Sequence, residues 1–133
     1  MKLNPDCIRD TLLKIEDFPF LSDDLALRRM EGKDFYSLNE KYSTQDVVYT
    51  LIKLEEANLI KASIQFAGGK LFSLSISALT FPGHEYLSKI KDQEKWNKVK
   101  TIGSKVEDFS LSAIEKIAEG VTNAAIDKFF KST

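Results

Sequence analysis

The spacing of apolar and polar residues changes several times along the chain, and each change predicts a new element. Asn4 followed by Pro5 is a typical helix start, because an asparagine side chain caps free amides and proline tolerates the first helical position. Pro19 is expected to end this helix. The apolar residues between them recur on one helix face: Ile8, Leu12 and Ile15.

Residues 22–42 have a weaker pattern. Ser22, followed by two aspartates, predicts a short helix that ends at Met30. Residues 32–34 predict a turn, and residues 38–41 predict one further helical turn.

A clear helical pattern returns at Ser43. Ser43 and Asp46 resemble a capping box with Asp in place of the usual Glu. The predicted helix continues to about Ala57, and its apolar face consists of Val47, Val48, Leu51 and Leu54.

On both sides of Gly68 and Gly69, apolar residues recur at every second position, which is the spacing of a strand. Before the glycines, apolar Ile64 and Phe66 alternate with Ser63 and Gln65. After them, serines at 73, 75 and 77 separate the apolar residues Phe72, Leu74, Ile76 and Ala78. Alternation around a Gly-Gly turn predicts an antiparallel hairpin whose serines face solvent.

The remaining chain is predicted to be helical. Thr80 suits the capping position of a helix that contains Tyr86, Leu87 and Ile90 and continues through Trp96, Val99, Ile102 and Val106. Gly103 predicts a bend or break in it. A last helix begins at residues 108–110, and Gly120 and Ala124 form a notch of small residues on it. Its apolar positions are Leu111, Ile114, Ile117, Ala118, Val121, Ala125, Ile126, Phe129 and Phe130.

Composition and charge exclude several classes of protein. The 133 residues include 19 basic and 20 acidic side chains, which argues against a chain that mainly coats nucleic acid or an anionic membrane. The single Cys7 excludes an internal disulfide and a cysteine-rich zinc site, and its position on the apolar face indicates a core residue. No apolar run approaches the roughly 20 residues that span a bilayer. We therefore expect a cytoplasmic protein with no membrane association.

Few residues in the sequence are candidates for catalysis or metal binding. His84 is the only histidine, and Ser88 stands where a zinc-protease motif would need a second one. No nucleophile elbow, phosphate loop or metal-ligand cluster is visible in the sequence. These observations predict that the protein is not an enzyme and has no cofactor and no metal, and that His84 begins a helix.

The order of the predicted elements resembles a winged helix-turn-helix. Within it, "YSTQDVVYTLIKLEEANLI" is similar to the third helix and its exit into the wing, and "LTFPGHEYL" to the strand-to-helix ending of such domains. The resemblance implies an α+β, mainly helical fold with a two-stranded antiparallel wing. It also implies a winged-helix domain over residues 1–92 and a C-terminal helical extension over residues 93–133, which packs on the domain or mediates oligomerisation.

Several further segments together resemble an uncharacterised family of small proteins from bacteria, phages and prophages. They include "MKLNPDCIRDTLL", "WNKVKTIGSKV" and "FSLSAIEKIAEGV". The resemblance implies a winged-helix fold and a mobile-element origin, and it supplies no activity.

A DNA-binding regulator, acting as a dimer, is the first functional hypothesis. The exposed stripe of the third helix would then enter the major groove and the wing would reach the phosphate backbone. That stripe contains one lysine against Asp46 and Glu56, so its charge opposes DNA binding. The candidate contacts with DNA or another partner are Lys41, Gln45, Tyr49, Thr50, Lys53 and Lys70.

The alternative hypothesis is a protein–protein interaction module that uses the winged helix and the apolar last helix, and that binds a protein partner or a second copy through this last helix. A helix this apolar at the end of a small domain needs a partner surface. A membrane is the less favoured partner, because five carboxylates between Glu107 and Asp127 would face anionic lipid. The candidate contact residues are Leu111, Ile114, Ile117, Val121, Ile126, Phe129 and Phe130.

Overall fold

The structure, a computed structural model, describes residues 1–131, which form a mainly helical α+β unit. The helices are α1 Pro5–Asp17, α2 Thr44–Glu56, α3 Phe81–Ile90, α4 Gln93–Val106 and α5 Leu111–Lys131. The strands are β1 Met30–Glu31, β2 Ile60–Ala67 and β3 Lys70–Leu79, and a 3-10 helix, Gly32–Glu40, follows β1.

The predicted helix starts are confirmed by their capping contacts. Asn4 Oδ1 accepts hydrogen bonds from the amides of Asp6, at 3.0 Å, and Cys7, at 3.2 Å. Ser43 Oγ accepts the Asp46 amide at 3.1 Å, and Thr80 Oγ1 accepts the Gly83 amide at 3.0 Å. Each of these side chains satisfies a first-turn amide that has no partner within its own helix.

The prediction of a short helix from Ser22 to Met30 is wrong. The Ser22 amide donates instead to the Ala26 carbonyl at 2.9 Å, and the Leu25 amide donates to the Ser22 carbonyl at 2.8 Å. These bonds close a tight loop, because serine and aspartate stabilise turns as readily as helix starts. The predicted turn at residues 32–34 is instead the start of the 3-10 helix, whose Asp34 carboxylate accepts the Glu31 amide at 2.8 Å.

The sheet has three antiparallel strands in the order β1-β3-β2, so the prediction of two strands missed β1. Met30 pairs with Ile76, and Glu31 pairs with Ser75. A strand of two residues is too short to show alternation in the sequence, and only its pairing with β3 defines it. The Gly-Gly turn between β2 and β3 is confirmed, with both glycines at positive φ.

The alternation predicted for β3 holds only in its centre. The register shifts between Gln65 and Phe66, where Phe72 is the extra residue of β3, and again between Lys61 and Ala62, where Ser77 is extra. A bulge reverses the face that the following residues present. Phe72 was predicted to point inward, and it is 74% exposed.

The long helix predicted through Val106 is interrupted after Ile90. The Arg9 side chain on α1 donates to the carbonyls of Ile90, at 3.0 Å, and Lys91, at 2.6 Å. Asp92 then caps α4 by accepting the Lys95 amide at 2.9 Å. The chain can end one helix and begin another here because the free backbone groups on both sides are satisfied. At Gly103, where a bend or break was predicted, α4 is continuous.

One hydrophobic core joins the helices and the sheet. It includes Leu12 from α1, Leu51 from α2, Ile76 from β3, Leu87 from α3, Trp96 from α4 and Ile114 from α5. The second half of α5 leaves this core, because residues 123–131 are all exposed. Within residues 1–131, every helix is too short or too polar to cross a membrane.

Candidate functional site

Thr50 lies on the inner face of α2, so its predicted place on the exposed stripe is wrong. Its side chain is buried, and its hydroxyl donates to the Asp46 carbonyl at 2.7 Å. The position follows from helical spacing, because Thr50 lies three residues after buried Val47 and four before buried Leu54. Thr50 is therefore unavailable for contact with DNA.

Tyr49 and Lys53 come together on the outer face of α2, where both have intramolecular partners. Lys53 Nζ lies 2.9 Å from Glu56 Oε2 and 5.5 Å from the centre of the Tyr49 ring. The hydrogen bond to Glu56 raises the pKa of Lys53. The Tyr49 hydroxyl donates to the Met1 carbonyl at 3.3 Å. A DNA phosphate would have to compete with Glu56 for the ammonium group of Lys53.

The other three predicted DNA contacts differ in their surroundings. Lys41 Nζ lies 3.8 Å from Asp10 Oδ2, which also accepts a 2.6 Å hydrogen bond from the Tyr42 hydroxyl. Burial, together with the bond to Asp10, raises the pKa of Tyr42. Gln45 and Lys70 are exposed. The outer side of α2 thus combines few available cations with several carboxylates.

Apolar side chains occupy the surface where α2 meets the end of the hairpin. Tyr36, Val48 and Leu71 line a cleft of about 150 Å³ between the 3-10 helix, α2 and β3. Phe66 pairs with Leu71 in the sheet and is exposed. We call these four residues the α2–β3 patch. Tyr36, Phe66 and Leu71 are exposed and Val48 is half-buried. Exposed apolar side chains grouped in this way are typical of protein-contact surfaces.

The residues predicted to form a partner-binding face on α5 divide into three groups. Ile114 is fully buried and cannot contact a partner, and the Leu111 carbonyl accepts a 2.9 Å hydrogen bond from the Tyr86 hydroxyl. Ile117 and Val121 line a groove of about 700 Å³ between α4 and α5. Beyond this groove, on the exposed half of α5, lie Ile126, Phe129 and Phe130. Only part of the predicted face is therefore accessible.

Sequence reasoning missed a second exposed apolar feature in the loop after α1. Leu21 and Leu27 form an isolated antiparallel bridge there, and Leu25 lies between them. All three leucines are exposed. Three leucines within seven residues were the available signal, but the Ser-Asp-Asp sequence indicated a helix start instead.

The residues considered for chemistry are placed as follows. His84 is exposed in the first turn of α3. Cys7 is buried in the core, and burial raises the pKa of its thiol, which disfavours the reactive thiolate. Among residues 1–131, no three His, Cys, Asp or Glu side chains lie close enough together to hold a metal ion.

Comparison with known proteins gives relatives without a described activity. Residues 2–109 match a family described as "Hypothetical protein (DUF2513)". An uncharacterised protein from Haemophilus influenzae is 36% identical over 122 residues, which cover 91% of this chain and 95% of the relative. No solved structure matches the chain.

Proposed function

The chain belongs to the DUF2513 family of hypothetical proteins, and we propose that it is a non-enzymatic protein-interaction module with a winged-helix scaffold. The proposed binding surface is the α2–β3 patch. A phage or prophage origin stays a prediction that rests on the resemblance of its sequence segments.

The order and pairing of the elements support the winged-helix assignment. A helix, a short strand, a helical segment and a second helix precede a hairpin. The short first strand pairs with the second strand of the hairpin, which puts β3 in the centre of the sheet. In winged helix-turn-helix proteins, the helix before the hairpin and the wing form the main contact surface. Here α2 and the β2–β3 turn occupy these positions.

The observation that carries the proposal is the apolar character of this surface. Phe66 and Leu71 are exposed near the hairpin turn, where a DNA-binding wing would present cations. The neighbouring cleft of about 150 Å³ is nearly all apolar and has the size of one large side chain. Pockets of this kind receive the aromatic or aliphatic anchors that dominate protein interfaces. Tyr36 at its edge supplies an aromatic contact.

A photocrosslinking experiment in the cells that naturally produce the protein tests this proposal. A benzoylphenylalanine at position 66 should give a discrete crosslinked species with another protein. The same residue in place of exposed Asp17, at the far end of α1, is the matched control and should give none. The proposal is overturned if position 66 gives no crosslink, or gives only the diffuse products seen at position 17.

DNA binding is the second candidate function, and it is favoured by the exposure of Gln45, in the first turn of α2, and of Lys70, at the start of β3. Amide and ammonium groups in these places suit contacts with bases and phosphates. The test is fluorescence anisotropy of a labelled mixed-sequence duplex at about 50 and about 200 mM salt, since electrostatic binding weakens steeply over this range. Binding that Lys70→Ala weakens would support DNA recognition, and no binding at the lower salt would exclude it.

A further inference from the structure

The loop after α1 forms a small hairpin that presents leucines to solvent. The Arg28 amide donates to the Phe20 carbonyl at 2.8 Å, and Leu21 pairs with Leu27. The side chains of Leu21, Leu25 and Leu27 are 57%, 76% and 86% exposed. We call residues 20–28 the leucine hairpin. Its leucine side chains are exposed to solvent, whereas Phe20 at its base packs against the core.

The tip of the leucine hairpin combines a strained backbone with acidic neighbours. Leu25 has a φ of +65°, a left-handed conformation that bulky side chains rarely adopt. Asp23 and Asp24 precede it and are exposed, and the Ser22 hydroxyl donates to Asp24. Arg28, at the base, lies over the Phe18 ring at 5.5 Å. The tip therefore offers one leucine beside two carboxylates, and strained backbone of this kind is often found at functional surfaces.

The groove between α4 and α5 has the complementary character. Its volume is about 700 Å³, and Ile102, Ile117 and Val121 form part of its apolar wall. Lys98 and Lys128 also line it, and no described Asp or Glu residue does. An occupant should therefore be apolar where it enters the groove and acidic at its edges.

Charge selects between two ways of covering this groove with a second copy. Two grooves placed face to face would bring Lys98 and Lys128 of one copy against the same lysines of the other, which like-charge repulsion opposes.

The leucine hairpin meets both requirements for an occupant, because its tip is apolar and has acidic neighbours. We propose that the leucine hairpin of one copy docks into the α4–α5 groove of a second copy, with Leu25 in the groove and Asp23 and Asp24 beside the lysines. This contact uses neither the α2–β3 patch nor the surface considered for DNA.

Sedimentation velocity of the full chain at protein concentrations of about 10–500 μM tests the contact. A weak self-association with a dissociation constant within this range changes the average mass as the concentration rises. The wild-type protein should increase in mass with concentration. Leu25→Gly should stay monomeric, since glycine keeps the positive φ and removes the side chain. Phe81→Ser, which removes an equally exposed apolar group elsewhere, should associate like the wild type. A wild-type monomer at every concentration, or association that Leu25→Gly leaves unchanged, overturns the proposal.

Charge reversal identifies the two partner surfaces. A variant with Asp23→Lys and Asp24→Lys should be monomeric, and so should a variant with Lys98→Asp and Lys128→Asp. In an equimolar mixture of the two, each hairpin meets a groove of opposite charge, and association should return. Failure of the mixture to associate, with both variants folded by circular dichroism, would contradict the assignment of these two surfaces.

Discussion

Trp96 Nε1 donates a 2.9 Å hydrogen bond to Asp6 Oδ1, across 90 residues of sequence. Lys100 Nζ lies 3.1 Å from the same carboxylate oxygen. These contacts join α4 to the first turn of α1, where a negative charge is also favourable to the helix dipole. Partial burial opposes ionisation of Asp6, but the hydrogen bonds from Trp96 and Lys100 outweigh it, so the pKa of Asp6 is lowered.

Asp6→Asn should lower the free energy of unfolding by about 1 kcal/mol at pH 7, because hydrogen bonds to a charged carboxylate are replaced by weaker ones. A lowered pKa stabilises the fold above the unfolded value of about 4, and this stabilisation is lost as the pH falls through the folded value. The difference between wild type and variant should therefore shrink below about pH 4. Urea denaturation at several pH values measures it.

The matched control for Asp6 is Asp127→Asn on the exposed half of α5. Its free energy of unfolding should stay within about 0.5 kcal/mol of wild type at pH 7. A loss at Asp127 equal to that at Asp6 would show that general charge, and not the Trp96 contact, stabilises the protein.

Gly103 and Gly120 both lie within helices and should respond in opposite ways to alanine. A Cβ at Gly103 would lie 2.4 Å from Phe109 Cε1, whereas one at Gly120 would meet nothing within 4 Å. Gly103→Ala should destabilise by about 1–3 kcal/mol through overpacking. Gly120→Ala should stabilise by up to about 1 kcal/mol through helix propensity. Thermal denaturation of the two variants compares them, and equal effects would refute the packing of Phe109 on α4.

Gly83, in the first turn of α3, should be the least replaceable of the helical glycines. A Cβ there would lie 2.0 Å from the Leu59 carbonyl oxygen, which is backbone and cannot rotate away. Gly83→Ala should therefore cost more than Gly103→Ala, whose obstacle is a side chain that can shift. The measurement is the fraction of folded protein by circular dichroism, and a stable Gly83→Ala variant would contradict this close contact.

Arg9 should stabilise the junction between α3 and α4. Its two hydrogen bonds to the carbonyls of Ile90 and Lys91 are charge-assisted, and its side chain is only 12% exposed. Arg9→Met should lower the free energy of unfolding by about 1–3 kcal/mol, since both carbonyls lose their donor. Arg29→Met, at an exposed arginine in the loop before β1, is the control and should have little effect. Hydrogen exchange at the amides of residues 92–95 should increase in Arg9→Met alone.

The candidate surfaces were only partly predictable. Helical spacing identified α2 and its apolar face correctly. The same spacing puts Thr50 inside, between Val47 and Leu54, but Thr50 was assigned to the outer stripe as a polar residue. Its hydroxyl can be buried because it donates to the Asp46 carbonyl of its own helix.

The pairing of Lys53 with Glu56 was within reach of the sequence, since the two are three residues apart on a helix. The cleft beside Leu71 could not be predicted from the sequence. The register shift between Gln65 and Phe66 decides which face of the sheet Leu71 lies on, and local spacing does not reveal that shift.

By itself the sequence determined the local structure: the caps at Asn4, Ser43 and Thr80, the apolar faces of the helices, and the glycine turn of the hairpin. Local signals suffice there because each depends on residues within about one turn of one another. Tertiary structure alone decided the strand at Met30, the helix break that Arg9 completes, and the exposure of the leucine hairpin. The strand and the helix break depend on contacts between residues far apart in the chain, which no local spacing can encode. The bonds that close the leucine hairpin are local, but they compete with the helix start that the same serine and aspartates indicate.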